Sequence, residues 1–219
     1  MAERSANLRP AWAEVCLDRI RDNAAFLAGK ASPALLCAVV KADGYGHGSV
    51  EVARAALEGG ASWLAVALAE EGAVLRREGI EAPILLLSEP PPAAWFDVVR
   101  DRLTPTVYAA ESIDALAEVA ATSAESIPVH LKVDTGMHRV GARSEDIVDL
   151  ARRIEVAPGL RLEALWTHLA VADEAGNDFT ATQLQRFDEA QKAVAAAGVA
   201  FDLAHASNSA GVIYHPGGR

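Results

Sequence analysis

Four segments of this 219-residue sequence place reactive side chains directly after short apolar runs. The first run leads into Lys41, and the next residues read Ala-Asp-Gly-Tyr-Gly-His-Gly, with Tyr45 at their centre. An ammonium group is costly to bury, so a lysine at the end of a buried strand is either a surface side chain or a functional amine nucleophile. Gly44, Gly46 and Gly48 would let the backbone approach a ligand closely, although their spacing differs from the dinucleotide fingerprint. Lys41 is therefore the first candidate for covalent chemistry.

The second segment carries three charged residues and reads Lys-Val-Asp-Thr-Gly-Met-His-Arg-Val-Gly from Lys132. Strand alternation puts Lys132 and Asp134 on one side, where their opposite charges could satisfy each other. Arg139 follows on a tight turn, and a fixed guanidinium can donate to an anionic oxygen as a planar fork. The alternative interpretation is a surface loop with a salt bridge.

The third and fourth segments are Thr-His-Leu-Ala around His168 and His-Ala-Ser-Asn-Ser from His205. A lone histidine is more often structural than catalytic. Small hydroxyl and amide side chains such as Asn208 and Ser209 could cradle a phosphate after a late strand of a barrel. A serine-rich turn without function would look the same.

Other kinds of chemistry find less support. His47, His168, His205 and Cys37 never pair at the short spacing of metal ligands, so we expect no metal site. There is no Gly-x-Ser-x-Gly elbow, which argues against a serine hydrolase. Cys16 and Cys37 both lie among apolar residues, so we expect two buried, reduced thiols.

The elements that must position these residues alternate between short apolar runs and helical segments. Unbroken apolar runs flanked by turn residues are typical of strands buried on both faces. The predicted strands are Leu35–Val40, Trp63–Ala67, Pro83–Leu87, Thr104–Tyr108, Val129–Val133, Leu162–Trp166 and Phe201–Ala204. The helical segments include Leu17–Ala28, Val50–Leu57, Ser112–Ala121, Ser144–Ile154 and Phe179–Ala197. Ser112 and Ser144 are the predicted N-caps of their helices, and Gly198 follows the last one.

This alternation predicts an α/β fold with a parallel sheet. The spacing fits a (β/α)8 TIM-type barrel, and residues 1–219 are expected to form one domain. Seven strands are predicted where eight are needed, and Trp12–Cys16 is a poor eighth candidate. The barrel is therefore expected to be incomplete, and an open doubly wound sheet remains the alternative. In a barrel, all four segments would meet at the carboxyl ends of the strands.

Composition limits the partners. The net charge of −10 repels a phosphate backbone, so nucleic acid is not an expected ligand. The longest apolar stretches, such as Ala34 to Val40, are too short to span a membrane. The opening residues, MAERSANLRP, lack the apolar core of a signal peptide, so we expect a cytoplasmic protein.

Taken together, the four segments resemble the alanine racemase family. The block around Lys41 is similar to that family's cofactor-lysine signature, and the block from Lys132 through Arg139 is similar to its second diagnostic block. The segments around His168 and His205 match in order and position. The resemblance implies a βα barrel followed by a β-rich C-terminal domain, working as a head-to-tail homodimer.

The resemblance also implies roles in binding pyridoxal 5′-phosphate and alanine. Lys41 would hold the cofactor covalently and then serve as the base on one face of the substrate Cα. Arg139 would bond the cofactor's phenolic oxygen and lie near the substrate carboxylate. Lys132 matches a position often carbamylated in the family, and that anion would hold Arg139. His168 would line the face of the cofactor ring.

At the phosphate end, the resemblance assigns Tyr45 and Ser209 to the cofactor phosphate, with Asn208 and His205 shaping the same region. The implied activity is the interconversion of L-alanine and D-alanine, which supplies D-alanine for peptidoglycan. Two alternatives are a non-catalytic pyridoxal-phosphate-binding homeostasis protein and a related lyase, such as an amino-acid decarboxylase or D-amino-acid aldolase.

The sequence departs from the family at its end. In the family, an arginine on the eighth strand bonds the pyridine nitrogen, and a tyrosine of the C-terminal domain is the opposite-face base. Arg219, in Pro-Gly-Gly-Arg, does not match that arginine's Arg-x-Gly context. We therefore expect a fragment of a longer racemase, whose activity alone is in doubt.

Overall fold

A computed structural model of the protein describes residues 11–218, apart from positions 122, 124 and 175. The opening segment MAERSANLRP and Arg219, on which two of the expectations above rest, lie outside the described residues.

Short strands and helices alternate along the chain. The strands are β1 Cys37–Val39, β2 Trp63–Val66, β3 Ile84–Leu86, β4 Thr106–Val107, β5 Ile127–Lys132, β6 Leu160–Trp166 and β7 Leu203–His205. The helices are α1 Leu17–Ala31, the short turn α2 Lys41–Gly46, α3 Ser49–Glu58, α4 Ala69–Arg77, α5 Trp95–Arg100, α6 Ala110–Ala120, α7 Ile147–Val156, α8 Phe179–Ala196 and α9 Ser209–Tyr214. Two 3-10 turns, Pro92–Ala94 and Pro216–Gly218, complete the described elements.

All the strand pairs are parallel, and neighbours in space are neighbours in sequence. Strands β1-β2-β3 form one sheet and β4-β5-β6-β7 another. Thr104 joins the two sheets, because its carbonyl accepts from Leu86 N at 2.9 Å and its N–H donates to Ile84 O at 2.8 Å. A doubly wound sheet reverses its strand order at a switch point, and this one does not. The predicted barrel-type α/β fold is confirmed.

Most of the longer helices bury one face in the core that they share with the strands. In α7, for example, the buried residues Ile147, Leu150, Ala151 and Ile154 recur at helical spacing. Strand β3 is buried at every position, as predicted for a strand covered on both sides. The core is therefore a ring of parallel strands with helices around it.

The prediction of two-faced burial is wrong for the two end strands. Cys37 and Val39 of β1 and Ala204 of β7 are exposed. Within the described residues no strand lies between β1 and β7, and a cavity of about 400 Å³ opens there. These residues lose cover because the ring of strands is not closed at this point.

The expectation of two buried thiols is also wrong. Cys16 is exposed just before α1. Cys37 is exposed as well, and it lines the cavity between β1 and β7. Although Cys37 is exposed by surface area, the protein around its sulfur excludes much of the water, and this desolvation raises the pKa of the Cys37 thiol to about 12. The surface of Cys37 therefore opens into the molecule, whereas that of Cys16 faces outward.

Two predicted serine caps are wrong, while the end of α8 is confirmed. Helix α6 begins at Ala110, and the Glu89 carboxylate accepts from Tyr108 N at 2.5 Å and Ala109 N at 2.8 Å just before it. Helix α7 begins at Ile147, after Ser144, and its N-cap makes no side-chain bond. A distant carboxylate thus replaces the local serine at α6. Gly198, with φ of +86°, follows α8 as expected.

Candidate active site

Lys41 lies where β1 ends, on a turn with unusual backbone geometry. Ala42, Asp43, Gly44 and Tyr45 have φ angles of 51°, 53°, 61° and 57°. This is one turn of left-handed helix, which costs a non-glycine residue roughly 1–2 kcal/mol. Lys41 itself is half-buried, with its Nζ 5.9 Å from the centroid of the Tyr45 ring. The sequence places an amine at the strand end, but only the structure reveals the turn that carries it.

Hydrogen bonds hold the left-handed turn on both sides. Gly44 N donates to Val40 O at 2.9 Å, and Gly48 N donates to Asp43 O at 2.9 Å. The Asp43 carboxylate accepts from Ser49 N at 2.8 Å, at the start of α3. Tyr45 is 59% exposed, so its hydroxyl is free to reach a ligand above the turn.

Lys132 is buried at the end of β5, with only 3% of its surface exposed. Its Nζ lies 3.8 Å from the centroid of the Trp166 ring and donates to Leu87 O at 3.4 Å. Burial, followed by the positive charge of Arg139, lowers the pKa of Lys132 to about 8. A substantial fraction of this amine is therefore neutral near physiological pH.

Strand alternation suggests that Asp134 could pair with Lys132. In the structure, the two side chains form no direct ion pair. The Asp134 carboxylate instead accepts from Gly136 N at 2.9 Å and from His138 N and Nδ1, each at 3.1 Å. Burial opposes the ionisation of Asp134, but these donors outweigh it and hold its pKa below the usual value. Strand β5 ends at Lys132, before Asp134. The Asp134 carboxylate therefore bonds the residues that follow it and stabilises the turn that they form.

Arg139 lies on the exposed loop whose base is fixed beside Lys132. Ala142 N donates to Lys132 O at 2.8 Å, and Asp134 N donates to Ala142 O at 2.8 Å. Gly141 has φ of +138°, and a Cβ there would lie 2.8 Å from Asp134 N, so this close crossing requires glycine. The loop therefore folds back onto β5 and holds Arg139 near the end of the strand.

His168 follows β6 and shares its electrostatic surroundings with the other cations. Burial, then the charges of Arg139, Lys132 and Lys41, lowers its pKa to about 4. The imidazole is therefore neutral at physiological pH. The same charges of Arg139 and Lys41 act on Lys132. The structure thus brings together Lys41, Lys132, Arg139 and His168, all predicted from strand ends.

Asn208 and Ser209 lie at the junction of β7 and α9. Asn208 Oδ1 accepts from Gly211 N at 2.9 Å as the N-cap, and its Nδ2 donates to Leu169 O at 3.3 Å. This links the start of α9 to the residue after His168. Ser209 is exposed at the first position of α9. That these residues and Tyr45 bind a cofactor stays a prediction.

His205 lies in the interior of the sheet, where its ring stacks on Trp166 with centroids 5.1 Å apart and an interplanar angle of 15°. Its Nε2 is 3.0 Å from Nδ1 of His130, whose Nε2 is 3.2 Å from Glu163 Oε2. Burial, with a smaller effect of His130, lowers the pKa of His205 well below its usual value. His205 therefore packs from inside the barrel against the Trp166 ring, which the Nζ of Lys132 also contacts.

Sequence reasoning missed Gln183, a fully buried residue on α8. Its Nε2 donates to His168 O at 3.0 Å and to Thr135 Oγ1 at 3.2 Å, and its Oε1 accepts from Ala170 N at 2.8 Å. Thr135 also bonds Thr167 at 2.8 Å between hydroxyl oxygens. One amide thus ties the loops after β5 and β6 together. A glutamine on the buried face of an amphipathic helix is the signal that could have identified it.

No group of three or more histidine, cysteine or acidic side chains is arranged to hold a metal ion in the part of the chain that the structure describes. No helix between residues 11 and 218, outside the three undescribed positions, is long and apolar enough to cross a membrane.

Comparison with known proteins relates the chain to the alanine racemases. The family model for the N-terminal domain of alanine racemase matches residues 15–218. Alanine racemase of Symbiobacterium thermophilum is 44% identical over 209 residues, covering 95% of this chain and 55% of the relative. That of Desulfovibrio desulfuricans is 38% identical over 212 residues, covering 96% and 57%.

Solved structures agree with the sequence comparison. Alanine racemase of Clostridium difficile, in complex with cycloserine, has a TM-score of 0.89 at 35% identity, covering 95% of this chain and 58% of that one. The Bacillus anthracis enzyme with bound L-Ala-P has a TM-score of 0.86 at 36% identity, covering 93% and 53%. The chain spans a little over half the length of these relatives. It belongs to the alanine racemase family and matches that family's N-terminal barrel domain.

Proposed function

We propose that this chain is the cofactor-binding barrel of an alanine racemase, with pyridoxal 5′-phosphate held by Lys41. One observation carries the proposal. Lys41, Lys132, Arg139 and His168 lie close enough together that the charges of Arg139 and Lys41 lower the pKa of both Lys132 and His168. On this proposal, residues 1–219 form one domain and the activity is the interconversion of L-alanine and D-alanine.

The residues of the site fit this cofactor. An aldehyde needs an amine, which Lys41 supplies, and an anionic ligand needs positive charge, which Arg139 supplies. The nearby carboxylate of Asp134 is taken up by its own turn. When bound, the cofactor spreads the negative charge left on Cα after a proton is removed.

The protein residues divide the remaining work. The Lys41 amine would take the Cα proton from one face in one direction of the reaction and would donate a proton to that same face in the reverse direction. The exposed guanidinium of Arg139 would hold the cofactor's phenolic oxygen and would be available to the substrate carboxylate. His168 is neutral at physiological pH and would cover the face of the cofactor ring as an uncharged imidazole. Tyr45, Asn208 and Ser209 are assigned to the phosphate end.

Inverting a carbon centre needs an acid and a base on opposite faces. We assign the second base to a tyrosine outside this domain, contributed by the partner subunit of a homodimer. D-alanine for peptidoglycan would be the product in a cytoplasmic setting, with neither nucleic acid nor membrane as partner. The acidic net charge of −10 supports the exclusion of nucleic acid.

The test is an absorbance spectrum of the protein with pyridoxal 5′-phosphate, followed by borohydride reduction and peptide mass analysis. We expect a cofactor band and a reduced adduct on Lys41, both abolished by Lys41→Ala. The absence of a band in the wild-type protein would contradict the proposal. Incubation with L-alanine and D-alanine then separates a racemase from a protein that binds the cofactor without turnover. A product other than the opposite enantiomer would indicate a lyase.

A further inference from the structure

A carboxylate from the neighbouring helix anchors the left-handed turn after Lys41. Glu71 on α4 accepts from Ala42 N at 2.7 Å through Oε1. Its other oxygen, Oε2, accepts from Ala67 N at 2.8 Å and Leu68 N at 3.1 Å. Hydrogen bonds to an ionised carboxylate are stronger than neutral ones. One side chain therefore connects the ends of β1 and β2 at the edge of the site.

Two of these contacts have a local explanation, and the third does not. Glu71 is the third residue of α4, where a glutamate or glutamine commonly bonds the backbone before the helix. The bonds to Ala67 and Leu68 are of this kind. The bond to Ala42 joins residues 29 positions apart and does nothing for the cap of α4.

The third contact acts on the backbone of Lys41 itself. The N–H of Ala42 belongs to the peptide plane that Lys41 shares with Ala42. Fixing that plane fixes ψ of Lys41 and φ of Ala42 together. Ala42 is the first residue of the left-handed turn, at φ of 51°, where an unsupported alanine would revert to a more favourable conformation.

We propose that Glu71 is the positioning residue that holds this turn and so sets the direction in which Lys41 leaves β1. This rests on the proposed function of Lys41 as the cofactor amine. Without the Ala42 bond, the turn loses an external support at its first residue, and the amine samples a wider range of positions. Covalent capture of an aldehyde requires that the amine be held at the reacting carbon, so its rate falls as this range widens.

The variant Glu71→Gln isolates the third contact. A glutamine oxygen can still accept from Ala67 and Leu68, so the cap of α4 is preserved. Its amide then presents N–H to the N–H of Ala42, and that bond is lost. Glu70→Gln is the matched control, because Glu70 is exposed on the same helix and the charge change is identical.

The first measurement is hydrogen exchange at the Ala42 amide in the protein without added cofactor. We expect exchange about tenfold faster in Glu71→Gln than in Glu70→Gln, the scale of one charge-assisted hydrogen bond. The second is the rate at which pyridoxal 5′-phosphate is trapped on Lys41 by borohydride, which we expect to fall about tenfold. The thermal midpoints of the two variants should be similar, since the cap is kept.

A rescue variant distinguishes positioning from general damage. Adding Ala42→Gly to Glu71→Gln should restore much of the trapping rate, because glycine adopts the left-handed conformation without steric cost. Equal Ala42 exchange in the two single variants would overturn the proposal, and so would equal trapping rates. If the wild-type protein trapped no cofactor on Lys41, the proposed function would fail, while the exchange comparison would still decide whether Glu71 anchors the turn.

Discussion

At the scale of single residues, the site favours the neutral form of titratable groups by burying them beside cations. The pKa of His168 is lowered to about 4, so its imidazole is neutral near pH 7, and the pKa of Lys132 is lowered to about 8, so part of its amine is neutral there. Burial is the larger cause for both, and the charge of Arg139 comes next. Two predictions at this scale follow from these shifts.

The first prediction concerns carbamylation of Lys132. Only a neutral amine attacks carbon dioxide, and the lowered pKa of Lys132 makes neutral amine available near pH 8. At fixed dissolved carbon dioxide, a carbamate signal from labelled carbon dioxide in carbon-13 NMR should grow as pH rises from about 7 to about 9. Lys132→Met should abolish it. Lys30→Met, which removes an exposed lysine, should leave it intact. Persistence of the signal in Lys132→Met would refute the assignment.

The second prediction concerns the stability of the protein in mild acid. His168 binds a proton at about pH 4 when folded and at about its usual 6.5 when unfolded, so the unfolded state binds more protons between these values. The free energy of unfolding therefore falls as pH decreases from 6.5 to 4. The contribution of His168 is about 3 kcal/mol, at 1.36 kcal/mol per pKa unit.

Urea unfolding at pH 7, 5.5 and 4 measures this dependence. The variant His168→Asn should lose part of the fall in stability, while the fall due to His205, whose pKa is also lowered, persists. His47→Asn is the control, because His47 is exposed and its ring bonds a backbone carbonyl, Gly44 O at 2.9 Å, and not a carboxylate. A His168→Asn variant as acid-sensitive as the wild-type protein would contradict the assigned pKa.

At the scale of elements, helix α8 does more than cover the sheet. Gln183 is fully buried and bonds the loops that follow β5 and β6, which carry Arg139 and His168. In Gln183→Glu, the donor to His168 O is replaced by an acceptor, leaving a buried carbonyl opposite a carboxylate. We expect a loss of about 2–4 kcal/mol in unfolding free energy, measured by urea titration.

The matched change is Gln185→Glu, on the exposed face of α8 two residues away. It places a charge near Glu189, to which Gln185 donates at 3.0 Å, and should cost about 0.5 kcal/mol or less. The rate of cofactor trapping on Lys41 is a second measurement. It is separate from the loss of stability, because Gln183 touches neither Lys41 nor its turn. Equal losses of stability in the two variants would show that the buried amide has no special role.

The strand ends were predictable from sequence because one rule brings them together. In a parallel barrel, all carboxyl ends meet at one face, so Lys41, Lys132, Arg139 and His168 could be grouped without knowing any contact. Glu71 and Gln183 could not be assigned in this way. Each has a side chain whose partners are set by helix packing, and a glutamate at the third position of a helix predicts only its own cap. The serine cap of α6 failed for the same reason, since the Glu89 carboxylate comes from a distant loop.

At the scale of the whole molecule, the gap between β1 and β7 explains where sequence reasoning about burial failed. The sequence predicts an incomplete barrel, but its unbroken apolar runs also predict burial on both faces, which the end strands would have only in a closed ring. Here the inner side of β1 faces the cavity, where Trp63, His130 and His205 lie near Cys37. Cys37 is therefore exposed by surface area, while its sulfur atom is desolvated. No local sequence pattern predicts this combination.

The cysteines provide a direct test of this internal surface. The thiolate is the reactive form of a thiol, and the pKa of Cys37 is raised from 9.0 to about 12. At pH 8, its thiolate fraction is roughly a thousandfold below that of an ordinary thiol, since each pKa unit is a factor of ten. Alkylation by iodoacetamide, followed by peptide mass analysis, should modify Cys16 at an ordinary rate and Cys37 about a thousandfold more slowly. Cys16→Ser and Cys37→Ser identify the two sites, and both thiols should react alike in denaturant. Equal rates in the folded protein would mean that the thiol of Cys37 is hydrated and that the space between β1 and β7 is open to bulk solvent.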